Sequence, residues 1–146
     1  AASSLTETPA SSAPLAGSLE DTIAGEEDLR PTVLIAEDID SNFMLMKAFI
    51  GKRFKLVWAR NGREAVELFE RHRPRLIFMD IKMPVMDGYE ATKAIRRLSK
   101  DVPILAITAF AFESDRSKAM DAGCNDYITK PISRQALNDK LTFYLG

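Results

Sequence analysis

Cysteine and histidine are scarce in this sequence, and long hydrophobic runs are missing. The 146 residues contain one cysteine, Cys124, and one histidine, His72. A lone cysteine excludes an internal disulfide and fits a reducing compartment, and the two residues lack the ligand spacing of a zinc site. No apolar run approaches the roughly 20 residues of a membrane-spanning helix. No basic residue precedes Arg30, so we do not expect a secretory signal.

An excess of charge of either sign is also missing. Lys and Arg together number 20 and Asp and Glu number 21, which gives a formal net charge of -1. A nearly neutral chain offers no electrostatic argument for binding nucleic acid or an anionic membrane surface. We therefore expect no direct nucleic-acid partner and no direct membrane insertion.

Aromatic residues are absent from residues 1–30, which are rich in Ala, Ser, Thr, Pro and Glu. Such a segment cannot bury enough apolar surface to offset the entropy of ordering. We predict a flexible linker or tail over residues 1–30 and one folded domain over residues 31–146. The first residue is not Met, which suggests a piece of a longer or processed protein.

From Pro31 onward, short apolar runs alternate with helical patterns. The runs indicate buried strands because they are almost continuously apolar, and they lie at residues 32–36, 55–59, 76–79, 103–108 and 127–129. Helical spacing follows each run, over residues 41–50, 63–72, 89–98, 113–122 and 133–144. This alternation predicts an α/β fold of the flavodoxin-like, doubly wound (βα)5 type, with a five-stranded parallel sheet in the order 2-1-3-4-5.

The predicted strands end in polar residues that could form a site. In a sheet of this kind, ligands bind beyond the carboxyl ends of the strands. The first strand is followed by Glu37 and Asp38, the third by Asp80, and the fifth by Lys130, while the fourth ends at Thr108. Three carboxylates, a hydroxyl group and an ammonium group are therefore expected at one edge of the sheet.

Taken singly, these residues have ordinary explanations, since Asp38 or Asp40 could simply cap the next helix. Taken together, the three carboxylates repel one another, and desolvation strengthens the repulsion. One ammonium group, that of Lys130, is not enough to compensate them. Mg²⁺ prefers hard oxygen ligands and is commonly bound by one or two carboxylates, water and a phosphate oxygen. We therefore expect a Mg²⁺ site.

Residues 79–88, with the sequence MDIKMPVMDG, resemble a known segment of response-regulator receiver domains. In that family the phosphoacceptor aspartate is followed by Met-Pro and then by Asp-Gly. The resemblance covers about residues 32–145, and its motifs fall in the family's order: Glu37-Asp38, Asp80, Thr108-Ala109, Tyr127 and Lys130-Pro131.

The resemblance implies a metal-binding phosphoacceptor site. Asp80 corresponds to the phosphoacceptor, Asp38 to a direct Mg²⁺ ligand, and Glu37 to an acidic residue that acts mainly through water. The backbone carbonyl of Lys82 corresponds to the third protein ligand. The acidic pair here is Glu-Asp rather than the common Asp-Asp, which affects the water network.

The resemblance also implies a switch. Thr108 resembles the switch hydroxyl, Tyr127 the switch aromatic residue, and Lys130 the residue that pairs with the phosphoryl group, with a cis bond to Pro131. The switching face is formed by the fourth helix, the fifth strand and the fifth helix. Phe110 is expected to shield the aspartyl phosphate from water and so make it long-lived.

The expected partner is a histidine kinase or a histidine phosphotransfer domain. Asn42 and residues 89–92 resemble receivers attached to hybrid sensor histidine kinases, so we expect a C-terminal receiver of such a kinase, with a standalone regulator as the alternative. The expected location is the cytoplasm, or the cytoplasmic side of the membrane in a hybrid kinase. A weak dimer through the switching face is also expected.

Other function classes fit the sequence less well. A haloacid-dehalogenase-like phosphatase needs a second aspartate two residues after its nucleophile, where this chain has Lys82. A mononucleotide binder would not place Glu37 and Asp38 next to a phosphate. A pseudo-receiver, which acts only by binding a protein, has no need for the complete acidic and basic set. We expect the isolated domain to have no enzymatic activity apart from Mg²⁺-dependent self-phosphorylation and autodephosphorylation.

Overall fold

Five parallel strands form the centre of the molecule in the computed structural model, which describes residues 28–109 and 112–146. The strands are β1 (Thr32–Ala36), β2 (Lys55–Ala59), β3 (Leu76–Asp80), β4 (Ile104–Thr108) and β5 (Asp126–Thr129). Their order in the sheet is β2-β1-β3-β4-β5, and every neighbouring pair is parallel. The predicted fold class and strand order are confirmed.

Five helices connect and follow the strands, and most of them begin at a side chain that caps the helix or end at a glycine. They are α1 (Asp40–Ile50), α2 (Gly62–His72), α3 (Gly88–Arg96), α4 (Glu113–Ala122) and α5 (Arg134–Leu145). The side chains of Asn61, Asp87 and Ser133 accept hydrogen bonds from backbone N–H groups in the first turns of α2, α3 and α5. Gly123 ends α4 with a φ of 115°, a left-handed conformation that glycine adopts without strain.

The helices cover both faces of the sheet, and this produces two hydrophobic cores. On one face, α2, α3 and α4 pack against side chains such as Leu34, Ile77 and Met79. On the other face, α1 and α5 pack against alternate residues such as Ile35 and Phe78. Because both faces are covered, β3 is buried along its whole length. The carboxyl edge of the sheet remains open for a site.

Among the described residues, no helix is both long enough and apolar enough to cross a membrane. The predicted linker at residues 1–30 lies mostly outside the described part of the chain, and the domain boundary at residue 31 stays a prediction.

Candidate functional site

Strands β1 and β3 are neighbours, and they bring the three predicted carboxylates together. One carboxylate oxygen from each of Glu37, Asp38 and Asp80 lies within 4.8 Å of the others. Glu37 is 0% exposed and Asp80 is 3% exposed, while Asp38 is half-buried. Glu37 and Asp38 directly follow β1, and Asp80 is the last residue of β3, so the parallel register places all three at the same edge.

Lys130 reaches this cluster from the end of β5. Its backbone N–H donates to the carbonyl of Thr108 at 2.7 Å, which continues the pairing of β4 with β5 past the last ladder residue. Its ammonium group donates to Asp80 Oδ2 at 3.2 Å and lies 3.8 Å from Glu37 Oε1. The peptide bond between Lys130 and Pro131 is cis, as expected. The Lys130 ammonium therefore lies close to two of the three carboxylates.

Burial and the nearby Asp80 carboxylate raise the pKa of Glu37 from 4.5 to about 7. One of its oxygens, Oε2, accepts a hydrogen bond from the backbone N–H of Ile39 at 3.2 Å. The other, Oε1, has no hydrogen-bond partner among the described residues, although it is buried. A buried oxygen without a hydrogen-bond partner is costly, and either a proton or a metal ion at this oxygen would reduce the repulsion between Glu37 and Asp80.

The loop after Asp80 is held close to the site by its backbone. The N–H of Lys82 donates to Asp80 Oδ1 at 3.2 Å, while the Lys82 side chain is exposed. The N–H of Gly88 donates to the carbonyl of Ile81 at 2.9 Å, and a Cβ atom on Gly88 would lie 2.3 Å from the carbonyl oxygen of Asp80. Only glycine permits so close a return of the chain, and this fixes the loop beside the carboxylate.

A cavity of about 210 Å³ opens beside Asp80. Its walls include Lys82, Thr108 and Lys130, together with Tyr89 of α3 and Lys118 of α4. The structure thus brings Thr108 and Lys130 to the same cavity as Asp80, as the sequence predicted.

Tyr127, the predicted switch residue, lines a different groove. Its ring lies under the guanidinium of Arg116, 5.3 Å from the ring centre, in a groove that Lys140 and Pro131 also line. Phe110, the predicted shield, lies outside the described residues.

Two contacts near the acidic pair could not be read from the sequence. The indole N–H of Trp58 on β2 donates to the backbone carbonyl of Glu37 at 2.8 Å. Arg60, just after β2, forms an ion pair with Asp40 on α1 at 2.9 Å. The residue before α1 is Ile39, so neither Asp38 nor Asp40 occupies the helix-capping position. The capping explanation of Asp38 is therefore wrong.

Most of the chain matches a known protein family. Residues 33–142 match the response regulator receiver domain family. The polar-differentiation response regulator DivK of Brucella anthropi is 37% identical over 118 residues, which cover 79% of this chain and 96% of that protein.

Two solved structures are similar throughout the sheet and helices. The receiver domain of the sensor histidine kinase PA1611 from Pseudomonas aeruginosa PAO1, which has a magnesium ion coordinated in its active-site cleft, is 36% identical with a TM-score of 0.74, over 79% of this chain and 97% of that one. The co-crystal structure of the Saccharomyces cerevisiae histidine phosphotransfer protein Ypd1 with the receiver domain of its response regulator Ssk1 gives 38% identity and a TM-score of 0.75, over 79% and 88%.

One assignment follows from three findings: a family match across most of the chain, a relative that is aligned over nearly its whole length, and a shared fold. The chain belongs to the response regulator receiver domain family and is a phosphorelay receiver of two-component signalling.

Proposed function

We propose that Asp80 accepts a phosphoryl group from a phosphohistidine, and that the aspartyl phosphate switches the face formed by α4, β5 and α5. The observation that carries this proposal is the setting of the Asp80 carboxylate. It is 3% exposed at the open edge of the sheet, 3.2 Å from the Lys130 ammonium and beside two other carboxylates. A carboxylate held in this way can act as a nucleophile toward phosphorus.

The acidic residues fit a Mg²⁺ ion. Asp38, Asp80 and the backbone carbonyl of Lys82 are the proposed direct ligands, and Glu37 acts through water. Support comes from three oxygens within 4.8 Å of one another and from the buried Glu37 Oε1, which has no hydrogen-bond partner among the described residues. Bound there, the ion would supply positive charge to the equatorial oxygens of the phosphoryl group during transfer.

The chain's own residues carry out the transfer. One Asp80 oxygen forms a bond to phosphorus while the bond from phosphorus to the donor imidazole nitrogen breaks, and that nitrogen keeps the electron pair. Lys130 attracts the transferring phosphoryl oxygens, because its ammonium group already lies 3.2 Å from Asp80. The N–H of Lys82 holds Asp80 Oδ1 in a fixed direction during the attack.

The switch uses Thr108 and Tyr127. Thr108 lines the cavity beside Asp80, so its hydroxyl can donate to a phosphoryl oxygen after a rotation of its side chain. That movement leaves space into which Tyr127 turns from its position under Arg116. The phosphoryl charge is thereby converted into a changed surface at α4, β5 and α5.

The proposed donor is a histidine kinase or a histidine phosphotransfer domain. Similarity to the receiver of the PA1611 kinase and to the complex of Ypd1 with Ssk1 supports this partner. The proposed context is a hybrid sensor kinase on the cytoplasmic side of a membrane. The alternative is a standalone regulator in the cytoplasm.

Incubation with acetyl phosphate and Mg²⁺ tests the assignment of Asp80, because the only chemistry proposed for the isolated chain is self-phosphorylation and autodephosphorylation. Intact-mass measurement should show one added phosphoryl group, and Asp80→Asn should abolish it. Asp87→Asn is the matched control, since it makes the same change in the same loop and asparagine also caps helices. Phosphorylation that survives Asp80→Asn, or that is missing from the natural sequence, would show a different acceptor or a pseudo-receiver.

A further inference from the structure

Both backbone polar groups of Glu37 are bound to β2, although Glu37 lies one residue beyond β1. Its N–H donates to the carbonyl of Ala59 at 2.9 Å, as in a continued strand. Its carbonyl accepts from the indole N–H of Trp58 at 2.8 Å, in a partly buried position. A side chain therefore supplies the hydrogen bond that the ending strand no longer provides.

Two other side chains contact the indole ring. The ring of Phe43 on α1 stacks against it with 4.1 Å between centroids and 1° between planes. The guanidinium of Arg60 lies 4.0 Å from the centre of the Trp58 ring, and it is paired with Asp40 on α1 at 2.9 Å. The indole cannot turn without breaking these contacts, so its N–H has a fixed direction.

We propose that Trp58 is a positioning residue for the acidic pair. The carbonyl that it holds belongs to the peptide unit joining Glu37 to Asp38. That unit is planar, so fixing its carbonyl direction limits ψ of Glu37 and φ of Asp38 and thereby the directions of both side chains. The three carboxylates repel one another before a cation arrives, and this repulsion pushes the turn away from Asp80. The indole hydrogen bond opposes that movement and keeps the metal site formed in advance.

This inference rests on the proposed Mg²⁺ site. Trp58→Phe tests it, because phenylalanine keeps an aromatic ring next to Phe43 and Arg60 but has no N–H. Calorimetric titration of the purified chain with MgCl₂ should show a loss of affinity of roughly three- to tenfold, the factor expected for one hydrogen bond. In phosphorylation by acetyl phosphate, the Mg²⁺ concentration for half-maximal rate should rise by the same factor. The rate at saturating Mg²⁺ should stay within about twofold of the natural sequence, because Asp80 and Lys130 are unchanged.

Leu56→Ala is the matched control for stability. Leu56 lies on the same strand and packs against the same core as Trp58, away from the carboxyl edge. It should lower the melting temperature without changing Mg²⁺ affinity. Phe43→Leu gives a second measurement if Trp58→Phe does not fold, because it loosens the indole while keeping its N–H. The Mg²⁺ affinity of Phe43→Leu should lie between that of the natural sequence and that expected for Trp58→Phe.

The outcomes separate this inference from the proposed function. If the natural sequence binds no Mg²⁺, the metal site itself is wrong. If it binds Mg²⁺ and Asp38→Ala abolishes binding, but neither Trp58→Phe nor Phe43→Leu weakens it, then Trp58 only packs against its neighbours and the positioning role is overturned. Equal losses in Leu56→Ala and Trp58→Phe would overturn it as well, since they would reflect general destabilisation.

Discussion

At the scale of single residues, the site holds more negative than positive charge. Three carboxylates face the ammonium group of Lys130, which is 27% exposed, and two of the three are almost fully buried. Removing an acid and removing the base should therefore have opposite effects on stability, while both should impair phosphorylation.

Asp38→Ala should keep the fold and raise the stability of the metal-free chain by about 1 kcal/mol, because one repulsive charge is gone. The rise in melting temperature that Mg²⁺ gives the natural sequence should disappear in this variant. Thermal melts with Mg²⁺ and with a chelator measure both effects. An unfolded Asp38→Ala chain would mean that Asp38 is structural.

Lys130→Ala should destabilise the metal-free chain by about 2–3 kcal/mol, because Asp80 and Glu37 lose the cation they face. It should still fold, since Lys130 lies at the rim of the sheet, and it should lose phosphorylation. Urea unfolding with a chelator gives the stability. Lys140→Ala, which breaks the ion pair between Lys140 on α5 and Asp126 on β5, is the control that should keep phosphorylation.

The raised pKa of Glu37 predicts a dependence of stability on pH. In the metal-free chain Glu37 keeps its proton up to about pH 7, whereas in the unfolded chain it loses the proton near 4.5. Between these values the folded state binds more protons, so the free energy of unfolding should fall as pH rises, by about 3 kcal/mol in total. Urea unfolding with a chelator, between about pH 5 and pH 8, measures this slope.

Glu37→Gln is the control, because it removes the titrating group and keeps its size. The pKa of His72 is lowered, mainly by burial and also by Arg71 and Lys55, so its contribution has the opposite sign, and it cancels when the two chains are compared. If the free energy of unfolding changed with pH equally in both chains, the pH dependence would come from a group other than Glu37.

At the scale of elements, the start of α2 contacts the loop that follows Asp80. The N–H of Gly62, the first residue of α2, donates to the carbonyl of Met86 at 2.9 Å, and that carbonyl belongs to the loop that follows Asp80. A Cβ atom on Gly62 would lie 2.2 Å from the same oxygen. The start of α2 thereby fixes the position of the loop after Asp80.

Gly62→Ala should therefore destabilise the chain by about 2 kcal/mol or more, although alanine is the better helix former. It should also slow phosphorylation, because the loop that carries Lys82 must move. Urea unfolding and the acetyl phosphate reaction measure the two effects. Glu67→Ala, on the exposed side of the same helix, should change stability by no more than about 0.5 kcal/mol. If Gly62→Ala changed neither stability nor phosphorylation, the loop after Asp80 would have adapted to the added methyl group.

At the scale of the whole molecule, the sheet and its two cores form a rigid frame, and α4 is the weakest attachment to it. The buried residues of α4 are Ala119 and Ala122, whereas α5 buries Leu137 and Leu141 and α1 buries Phe43, Met46 and Ile50. Small side chains bury little apolar area, so α4 has little to hold it in place. A helix attached in this way is well suited to move when the site gains charge.

Hydrogen exchange should show this difference before phosphorylation and a local change after it. We expect amides of α4 to exchange roughly tenfold faster than those of α5, because local opening costs less. After treatment with acetyl phosphate and Mg²⁺, exchange should change in α4 and β5 and stay the same in β1, β2 and β3. Asp80→Asn treated in the same way is the control. A change spread evenly over the sheet would contradict a switch confined to one face.

The sequence by itself determined the type and order of the elements and the edge at which the polar residues meet. Continuous apolar runs such as residues 76–79 are typical of buried parallel strands, and parallel strands place their carboxyl ends at one edge. The positions of Glu37, Asp38, Asp80 and Lys130 in the site follow from that rule alone. Local patterns suffice to place these residues, because each apolar run shows where a strand ends and all parallel strands end at the same edge of the sheet.

Only the tertiary structure decided which side chains fix the acidic pair and the loop after Asp80. The bond from Trp58 to Glu37 and the contact of Gly62 with Met86 join residues 21 and 24 positions apart. Such contacts depend on the register between strands, on side-chain rotamers and on packing to within a fraction of an ångström. Hydrophobic periodicity carries none of this information, because it records which face a residue occupies and not which atom it touches.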